Sequence, residues 1–465
     1  MISYDVVVAG GRAILPGLGL AEADIAISDG RIAAVAAPGK AGSAAATLDA
    51  RNLVVMPAAL DVHLHLGHGN DISRPRVPDD AGRETAAAAR GGIGTMIPYL
   101  MANEPFEAIC ESVFATTAAG ARVDFGYHFI ISTPEQLAGV PRYIREHGVP
   151  TFKFFMNNRG GEGKRLGLPD IDDGAFYKLF ELAAEHGGMV CPHPENIEIA
   201  WVLRDRAMRA DPDGKGGLAS WNATRPPFVE AEAVQRAGFL ARVTGAQVYI
   251  VHTSSAEALR AAEQQRAAGA KVWIETCPHY LTHDITWDGG VIAKINPPLR
   301  EASDREALWK GLTSGSIDTV ATDHVHRGIG SKAGTIWQAS PGCPGMETML
   351  PVLISEGHHK RGLSLARIAD LVSTTPAKAM GLGGRKGAIA PGCDADLAFI
   401  DVNGDTRVDN SSVVSSAGYS IYDGWRLKAA VRHTMVRGLL VMREGVLDES
   451  SVGHGRFLRR SFKDT

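Results

Sequence analysis

Residues 53–68 read Leu-Val-Val-Met-Pro-Ala-Ala-Leu-Asp-Val-His-Leu-His-Leu-Gly-His and combine a buried strand with two candidate metal ligands. The apolar run rises to Asp61 and ends in His63 and His65, which are separated by one residue. Because strand side chains alternate between faces with a period of two, both imidazoles are expected on the same face. Two neutral imidazoles there can bind one divalent metal ion. Taken alone, the pair is equally consistent with two polar residues at the end of a strand that bind no metal.

The composition is typical of a globular protein. Across 465 residues, 45% are hydrophobic and 22% are charged, and the net charge of −4 gives no indication of nucleic acid or an anionic membrane as a partner. The sequence has no run of 18 or more apolar residues and no signal-peptide pattern at its start. Five widely spaced cysteines without a Cys-x-x-Cys pair predict reduced thiols and a cytoplasmic location.

Both ends of the chain are rich in predicted strands. Residues 1–55 read as short strands with tight turns, among them the Asp29-Gly30 hairpin signal, and strands return over residues 385–450. These two segments predict one small β-sandwich domain built from both chain ends. The Arg-rich tail, residues 451–465, is expected to be disordered or to lie on a neighbouring subunit.

Between these ends, residues 56–384 alternate apolar runs with helical segments. The eight predicted strands cover residues 54–60, 94–100, 124–131, 151–156, 188–192, 247–251, 271–276 and 318–322. The predicted helices cover residues 81–90, 105–119, 134–147, 174–186, 230–243, 256–269 and 304–315. This order favours an α/β fold with a closed (β/α)8 TIM barrel, and a doubly wound open sheet is the alternative.

A lysine in an apolar strand is a second unusual feature. Lys153 lies in Thr-Phe-Lys-Phe-Phe-Met, where an unpaired ammonium would be costly. It either extends its amine from the strand end into water or carries a carbamate formed by adding CO2. A carbamate would give an anionic bridging ligand.

Three further polar residues stand at the ends of apolar runs, namely His193, His252 and Asp323. Together with His63, His65 and Lys153, these residues fall at the ends of predicted strands one, four, five, six and eight. In a (β/α)8 barrel these ends converge on one face, where active sites of this fold are built. Four imidazoles, a possible carbamate and an aspartate can bind two borderline metal ions such as zinc.

With these residues the chain resembles the amidohydrolase superfamily, and most closely the cyclic amidases: hydantoinases, dihydropyrimidinases, allantoinases and dihydroorotases. The matching segments begin with Asp61-Val-His-Leu-His and end with Thr322-Asp-His. Supporting segments are Val251-His-Thr-Ser-Ser, Glu275-Thr-Cys-Pro-His-Tyr-Leu, Asn296-Pro-Pro-Leu-Arg, Pro344-Gly-Met-Glu and Pro391-Gly-Cys-Asp-Ala-Asp-Leu. The resemblance extends from Asp5 to about Gly445.

The resemblance implies a binuclear zinc site, although other divalent metals are possible. His63, His65 and Asp323 would hold the first ion, His193 and His252 the second, with N6-carboxylysine at Lys153 as the bridge. Asp323 would also be the catalytic base that accepts a proton from hydroxide and delivers it to the leaving nitrogen. The substrate would be a small cyclic amide or imide, contacted by Asn158, Asn296, Gly342 and Cys343. Relatives imply a homotetramer or a dimer.

Two departures from the family bear on the substrate. Asn158 stands where hydantoinases and dihydropyrimidinases carry a tyrosine that stabilises the oxyanion. Gly67 stands where dihydroorotases usually carry an arginine for the substrate carboxylate. The segments that begin at His252 and Glu275 lean towards allantoinase. The alternatives are therefore allantoinase first, then dihydroorotase or a metal-free scaffold related to dihydropyrimidinase.

Two polar loops remain open to two interpretations. Residues 67–78 and 157–167 are either solvated surface loops or a gate over the pocket. His324 and His326 are either structural or in contact with the substrate.

Overall fold

The structure is a computed structural model that describes residues 3–462, and these residues form two nine-stranded sheets and one two-stranded sheet. The strands are β1 (Ser3–Leu15), β2 (Gly19–Ser28), β3 (Arg31–Ala36), β4 (Ser43–Asp49), β5 (Val54–Pro57), β6 (Ala59–His65), β7 (Ile93–Leu100), β8 (Asp124–Phe125), β9 (His128–Ile130), β10 (Thr151–Phe155), β11 (Met189–His193), β12 (Gln247–Ile250), β13 (Lys271–Thr276), β14 (Thr319–Val320), β15 (Leu397–Asp401), β16 (Thr406–Arg407), β17 (Arg426–Leu427), β18 (Ala430–Val436), β19 (Leu439–Arg443) and β20 (Val446–Leu447).

Most helices lie between the strands of the second sheet. They are α1 (Pro78–Arg90), α2 (Cys110–Gly120), α3 (Pro134–Arg145), α4 (Asp173–His186), α5 (Ile197–Ala210), α6 (Gly217–Thr224), α7 (Pro227–Thr244), α8 (Ala256–Ala267), α9 (Pro278–Thr282), α10 (Ala302–Ser314), α11 (Met349–Val352), α12 (Leu365–Ala369) and α13 (Thr375–Ala379). Among residues 3–462, no helix is both long enough and apolar enough to cross a bilayer.

The second sheet closes into a parallel barrel. Its order is β6-β7-β9-β10-β11-β12-β13-β14, with β8 paired to β7. The ring is closed where the backbone N–H of His65 donates to the carbonyl of His324, at 2.8 Å, just beyond β14. The predicted (β/α)8 barrel is therefore confirmed. Its strands are buried on both faces, as expected when helices cover a parallel sheet.

The first predicted strand, residues 54–60, is wrong in its position. It merges the end of one sheet with the start of the other: β5 pairs with β1 and β15, and β6 begins the barrel. Both strands are buried along their whole length. Because no polar residue interrupts the apolar run between them, hydrophobicity alone could not reveal the crossing.

The first sheet is built from both ends of the chain, in the order β20-β19-β18-β15-β5-β1-β2-β3, with β4 parallel to β1. It forms the separate β domain expected from the sequence. The predicted turn between β2 and β3 places Asp29 and Gly30 at positive φ, 51° and 73°, which glycine adopts at little cost.

Between β6 and β14, three helices were missing from the prediction. Helix α5 buries only Ile197 and Ala200, so its sequence carries little apolar periodicity. Helix α6 begins at Gly217, and α9 has five residues, which is too short for a periodic signal. Predicted strand 124–131 is divided into β8 and β9 around Gly126.

The C-terminal segment packs on its own barrel, so within residues 451–462 the expectation of disorder or of a place on a neighbouring subunit is wrong. The backbone N–H of Leu458 donates to Phe125 at 2.7 Å, and Phe457 stacks on Phe114 with ring centroids 3.9 Å apart. The buried Arg460 donates to Thr151 Oγ1 at 2.8 Å, at the start of β10. Tail residues 463–465 lie outside the described residues.

A buried lysine joins the barrel to the β domain. The ammonium of Lys386 lies 2.6 Å from Asp124, 3.0 Å from Asp394 and 2.5 Å from Asp396, and its side chain is fully buried. Removing one partner of a buried ionic cluster leaves the other charges uncompensated.

We therefore expect Lys386→Met to lower the free energy of unfolding by about 3–5 kcal/mol, measured by urea denaturation. Lys378→Met, at an exposed lysine of α13, is the control. A loss at Lys386 no larger than at Lys378 would contradict a role for the cluster in joining the two domains.

Candidate metal centre

The six predicted ligands line one pocket at the C-terminal mouth of the barrel. Its empty volume is about 820 Å³, partly open to solvent. The residues come from five strands or from the turns that follow them: His63 and His65 on β6, Lys153 on β10, His193 on β11, His252 after β12 and Asp323 after β14. The structure thus brings together all six side chains, which are spread over 260 positions of sequence.

His63, His65 and Asp323 form a compact group of donor atoms. Asp323 Oδ1 lies 3.2 Å from His63 Nε2 and 3.8 Å from His65 Nε2, and one donor atom from each residue lies within 4.8 Å of the others. Two ligands at the usual distances from a tetrahedral zinc ion are roughly 3.3 Å apart. The spacing of this group therefore fits a single divalent ion.

His193 and His252 form an adjoining pair. His193 Nδ1 lies 2.9 Å from His252 Nε2, again close to the separation of two ligands on one ion. The rings of His252 and His63 have centroids 5.2 Å apart, so the pair borders the first group. The donor set offers two neighbouring positions for borderline metal ions.

Lys153 is buried and has no conventional partner. Its Nζ lies 4.6 Å from the centre of the Tyr99 ring, and within residues 3–462 no side chain or backbone group forms a hydrogen bond or salt bridge with it. Burial lowers the pKa of Lys153 to about 8, although Asp323 and Glu275 act in the opposite direction. The neutral amine that burial favours is the form that can add CO2.

Two buried carboxylates orient the imidazoles from behind. Glu275 Oε1 lies 2.6 Å from His63 Nδ1 and also accepts the backbone N–H of His252 at 2.8 Å. Glu195 Oε2 lies 2.7 Å from His193 Nε2. Each carboxylate holds the ring nitrogen opposite the one that faces the metal position, an arrangement that is usual around metal-binding histidines.

Burial and nearby charges set the ionisation of these groups. Burial lowers the pKa of His65 to about 3 and lowers that of His252 as well. Burial acts in the same direction on His63, but the carboxylates of Glu275 and Asp323 outweigh it and raise its pKa to about 9. Although burial raises the pKa of Asp323, the His63 imidazole beside it holds that pKa below its usual range. A cation at His63 Nε2 would replace the proton that these carboxylates attract.

The backbone at two candidate ligands is strained. His252 and Asp323 have φ of 40° and 47°, in the left-handed region that residues other than glycine rarely adopt. Beside Asp323, Thr322 donates its backbone N–H and its hydroxyl to the buried carboxylate of Asp61, at 3.0 and 2.5 Å. This contact ties the start of the pocket's first strand to its last and holds the strained turn in place.

The predicted substrate contacts divide into two sets. Asn158, Asn296 and Gly342 line the pocket. Asn158 Nδ2 already donates to Pro169 at 2.6 Å, and its Oδ1 is buried without a hydrogen-bond partner in the described chain. Cys343 is not among the residues that line the pocket, and its assignment as a substrate contact stays a prediction. It is buried behind the rim, where its carbonyl accepts the N–H of Val325 at 3.0 Å.

Both predicted loops border the pocket, the 67–78 loop through Ile72. The 157–167 loop forms part of the wall, including the 3-10 helix Glu162–Leu166. In the 67–78 loop, a Cβ on Gly67 would lie 1.9 Å from the carbonyl oxygen of Asp71. No larger residue fits at Gly67 in this turn, so an arginine at this position is excluded by the local backbone.

His324 and His326 take structural positions. His324 Nε2 lies 2.9 Å from Glu84 Oε2, and its Nδ1 accepts the backbone N–H of Gly345 at 3.1 Å. His326 Nδ1 lies 3.3 Å from the carbonyl of His65. Of the two interpretations that the sequence left open, the contacts favour the structural one.

Comparison with known proteins finds a family, relatives and a solved structure that match most of this chain. The model of the amidohydrolase family matches residues 54–441. A D-hydantoinase of Ralstonia pickettii is 32% identical, over 98% of this chain and 99% of the relative, and an allantoinase of Escherichia coli O1:K1 is 33% identical, over 94% and 95%. The solved structure of the L-hydantoinase (dihydropyrimidinase) from Arthrobacter aurescens superposes with a TM-score of 0.89 at 31% identity, over 98% of this chain and 100% of that one.

These similarities extend over nearly the whole chain and include both the barrel and the β domain. The matched residues of the family model include the donor groups at the barrel mouth. The chain therefore belongs to the amidohydrolase family, in its cyclic amidase subgroup.

Proposed function

We propose that this cyclic amidase is a metal-dependent hydrolase that opens a hydantoin or dihydropyrimidine ring with two divalent ions, zinc in the first instance. The observation that carries the proposal is the set of six donors around one pocket, of which His193–His252, His63–Asp323 and His65–Asp323 have donor atoms 2.9 to 3.8 Å apart. His63, His65 and Asp323 would hold one ion, and His193 and His252 the other.

Lys153 is proposed to carry a carboxyl group on Nζ and to supply anionic oxygens to both positions. Its buried, unpaired amine supports this assignment, since an ammonium there lacks compensation. When bound, the ions lower the pKa of water and polarise the scissile carbonyl. Asp323 accepts a proton from the attacking water and delivers it to the ring nitrogen as the C–N bond breaks.

Metal analysis and a substrate panel test this function. The purified protein is expected to contain close to two divalent ions per chain and to open at least one ring among hydantoin, 5-phenylhydantoin, dihydrouracil, allantoin, dihydroorotate and succinimide. The product would be an open-chain acid such as an N-carbamoyl amino acid. A protein without stoichiometric metal and without activity on any ring would support the scaffold alternative instead.

Allantoinase is the second candidate. The segments that begin at His252 and Glu275 favour it, and the allantoinase and hydantoinase relatives are similarly identical to this chain, at 33% and 32%. Asn158 stands where hydantoinases carry a tyrosine, and this departure weakens the assignment as a hydantoinase. A higher kcat/KM for allantoin than for the hydantoins would decide for allantoinase.

The supporting carboxylate Glu275 gives a prediction about metal affinity. Because it holds both His63 and the backbone of His252, we expect Glu275→Gln to weaken metal binding about 10- to 100-fold, measured by competition with a chelator. Glu301→Gln, at an exposed glutamate, is the matched control. Unchanged affinity in Glu275→Gln would contradict the orienting role.

We also propose that the protein forms a homo-oligomer in the cytoplasm, a tetramer or a dimer. Phe228, Phe239 and Val243 lie on one face of α7 and are 48%, 49% and 56% exposed, which is unusual for large apolar side chains. The five cysteines are buried and unpaired, as expected for reduced thiols. Light scattering of the wild type and of Phe239→Asp tests whether this face joins two copies.

A further inference from the structure

Three arginines reach the pocket from separate parts of the chain. Arg165 is on the 3-10 helix Glu162–Leu166, Arg225 directly follows α6, and Arg327 lies four residues beyond Asp323. None of them belongs to the metal groups described above. They are side chains of the loops that surround the barrel mouth, where a substituent of a bound ring would be placed.

Two of these arginines have no carboxylate partner. Arg327 donates only to carbonyl oxygens, those of Asn70 at 3.1 Å and Pro341 at 3.4 Å. Arg165 forms no hydrogen bond or salt bridge with any residue in the 3–462 range. By contrast, Arg225 is buried, stacks on Trp221 and lies 3.4 Å from Glu195. Arg165 and Arg327 therefore line the pocket with positive charge that no carboxylate contacts directly.

The nearby acidic groups offset this charge only in part. Asp71 acts on Arg327 from a distance, but its carboxylate is held by Ser73 and lies 3.6 Å from Arg76. Glu162 also lines the pocket, but its Oε1 already accepts hydrogen bonds from Trp201 at 2.9 Å and from Arg204 at 2.7 Å. Glu195 is shared between His193 and Arg225. Each of these two carboxylates is thus occupied by a cation or a ring N–H other than those of Arg165 and Arg327.

The pKa values of two buried lysines near the pocket are lowered in part by the positive charge of these arginines. Burial lowers the pKa of Lys294 to about 7, with Arg165 and Arg225 acting in the same direction. Burial also lowers the pKa of Lys332 to about 8, with Arg327 and Arg165 acting in the same direction. The ammonium of Lys332 donates only to carbonyls, those of Lys294 and Ser340, at 3.0 and 2.8 Å. The pocket rim is therefore a region of positive potential that an anion would relieve.

We propose that the ring opened by this enzyme carries a carboxylate on its substituent, and that Arg165 and Arg327 bind that carboxylate. The inference rests on the proposed cyclic amidase function and specifies its substrate class. Arginine suits this task because its planar donors match the two oxygens of a carboxylate. Ile72, Leu166 and Leu168 line the same pocket and provide an apolar surface for the carbon atoms between ring and carboxylate.

This assignment also accounts for Gly67. The backbone turn leaves no space for an arginine at Gly67, so a carboxylate can be held only by side chains from other loops. Arg165 and Arg327 are the pocket arginines without an acidic partner in the described chain. The absence of the usual arginine therefore does not exclude an acidic substrate.

A matched pair of substrates tests the proposal in the metal-loaded enzyme. Racemic 5-(carboxymethyl)hydantoin and 5-(carbamoylmethyl)hydantoin have the same size and differ by one charge. We expect kcat/KM to favour the carboxylate by about 10- to 100-fold, mainly through KM, since this is the range for hydrogen bonds to a charged group. The preference should weaken as salt is raised. Dihydroorotate, whose carboxylate is attached directly to the ring, shows whether a spacer is needed.

Two arginine variants test the proposed carboxylate contacts, and a variant of the neighbouring lysine is their control. Arg165→Gln and Arg327→Gln should each lower the carboxylate preference to near unity. Lys164→Gln removes the same charge from the adjacent, exposed position, which does not line the pocket, and should keep the preference. Calorimetric binding of N-carbamoylaspartate against N-carbamoylasparagine gives a readout that does not depend on turnover.

The outcomes distinguish a failure of the carboxylate site from a failure of the proposed cyclic amidase function. Ring opening without a preference for the carboxylate would overturn the anion site and leave the cyclic amidase function intact. If the loaded enzyme opened no ring of the panel, the proposed function would fail. The calorimetric comparison would then decide on its own whether Arg165 and Arg327 bind carboxylates.

Discussion

Lys153→Ala is expected to lower kcat/KM about 10⁴-fold or more and to reduce the metal content to one ion per chain or fewer. The reason is that Lys153 lines the same pocket as the two donor groups and is the only proposed ligand common to both. Activity is measured on the best substrate of the panel and metal by elemental analysis of the same preparation.

Two comparisons make the Lys153 result specific. Lys310→Ala, at an exposed lysine of α10, should keep full activity and metal content. Adding a small carboxylic acid such as propionate to Lys153→Ala should restore part of the metal content, because it can fill the vacated volume and replace the lost carboxylate. Full activity of Lys153→Ala without such an addition would contradict the bridging role.

The second large effect is expected for Asp323→Asn, in which turnover falls more than metal binding. An amide oxygen can still occupy the position 3.2 Å from His63, but an amide cannot take up and return the proton. We expect kcat to fall about 10²- to 10⁴-fold, the range typical of a lost general acid–base group, while most of the metal is retained.

Asp288→Asn, at an exposed aspartate, serves as the control for Asp323→Asn and should change neither quantity. If metal content and kcat of Asp323→Asn fell in proportion, the residue would be a ligand only. The separate proton-transfer role would then be abandoned.

The barrel could be predicted because its strands are long apolar runs separated by helical periodicity. Prediction failed where that contrast disappears. At Val54–Pro57 and Ala59–His65 two buried strands of different sheets follow each other without a polar break. Helix α5 lies mostly at the surface, so its sequence lacks an apolar stripe. The C-terminal tail is polar, and its docking depends on a few side chains such as Leu458 and Arg460.

The candidate metal ligands could be brought to one pocket from sequence because each stands in or just after a predicted strand. Their supporting groups could not. Glu275 has no local signal for its contact with His63, which spans 212 positions of sequence. Glu195 follows His193 by two residues, which gives no signal by itself. The charge of the pocket was equally hidden, since Arg165 and Arg327 meet only after the loops have folded.

The docked C-terminal segment has a consequence for Lys153. Arg460 donates to the hydroxyl of Thr151, which also contacts the ring of His128. The His128 ring stacks on Tyr99, with centroids 4.5 Å apart, and Lys153 lies over the Tyr99 ring. The floor of the barrel is thus completed by a segment that lies 309 positions beyond Thr151 in the sequence. Removing or displacing residues 457–462 would disturb Tyr99 and Lys153 from below.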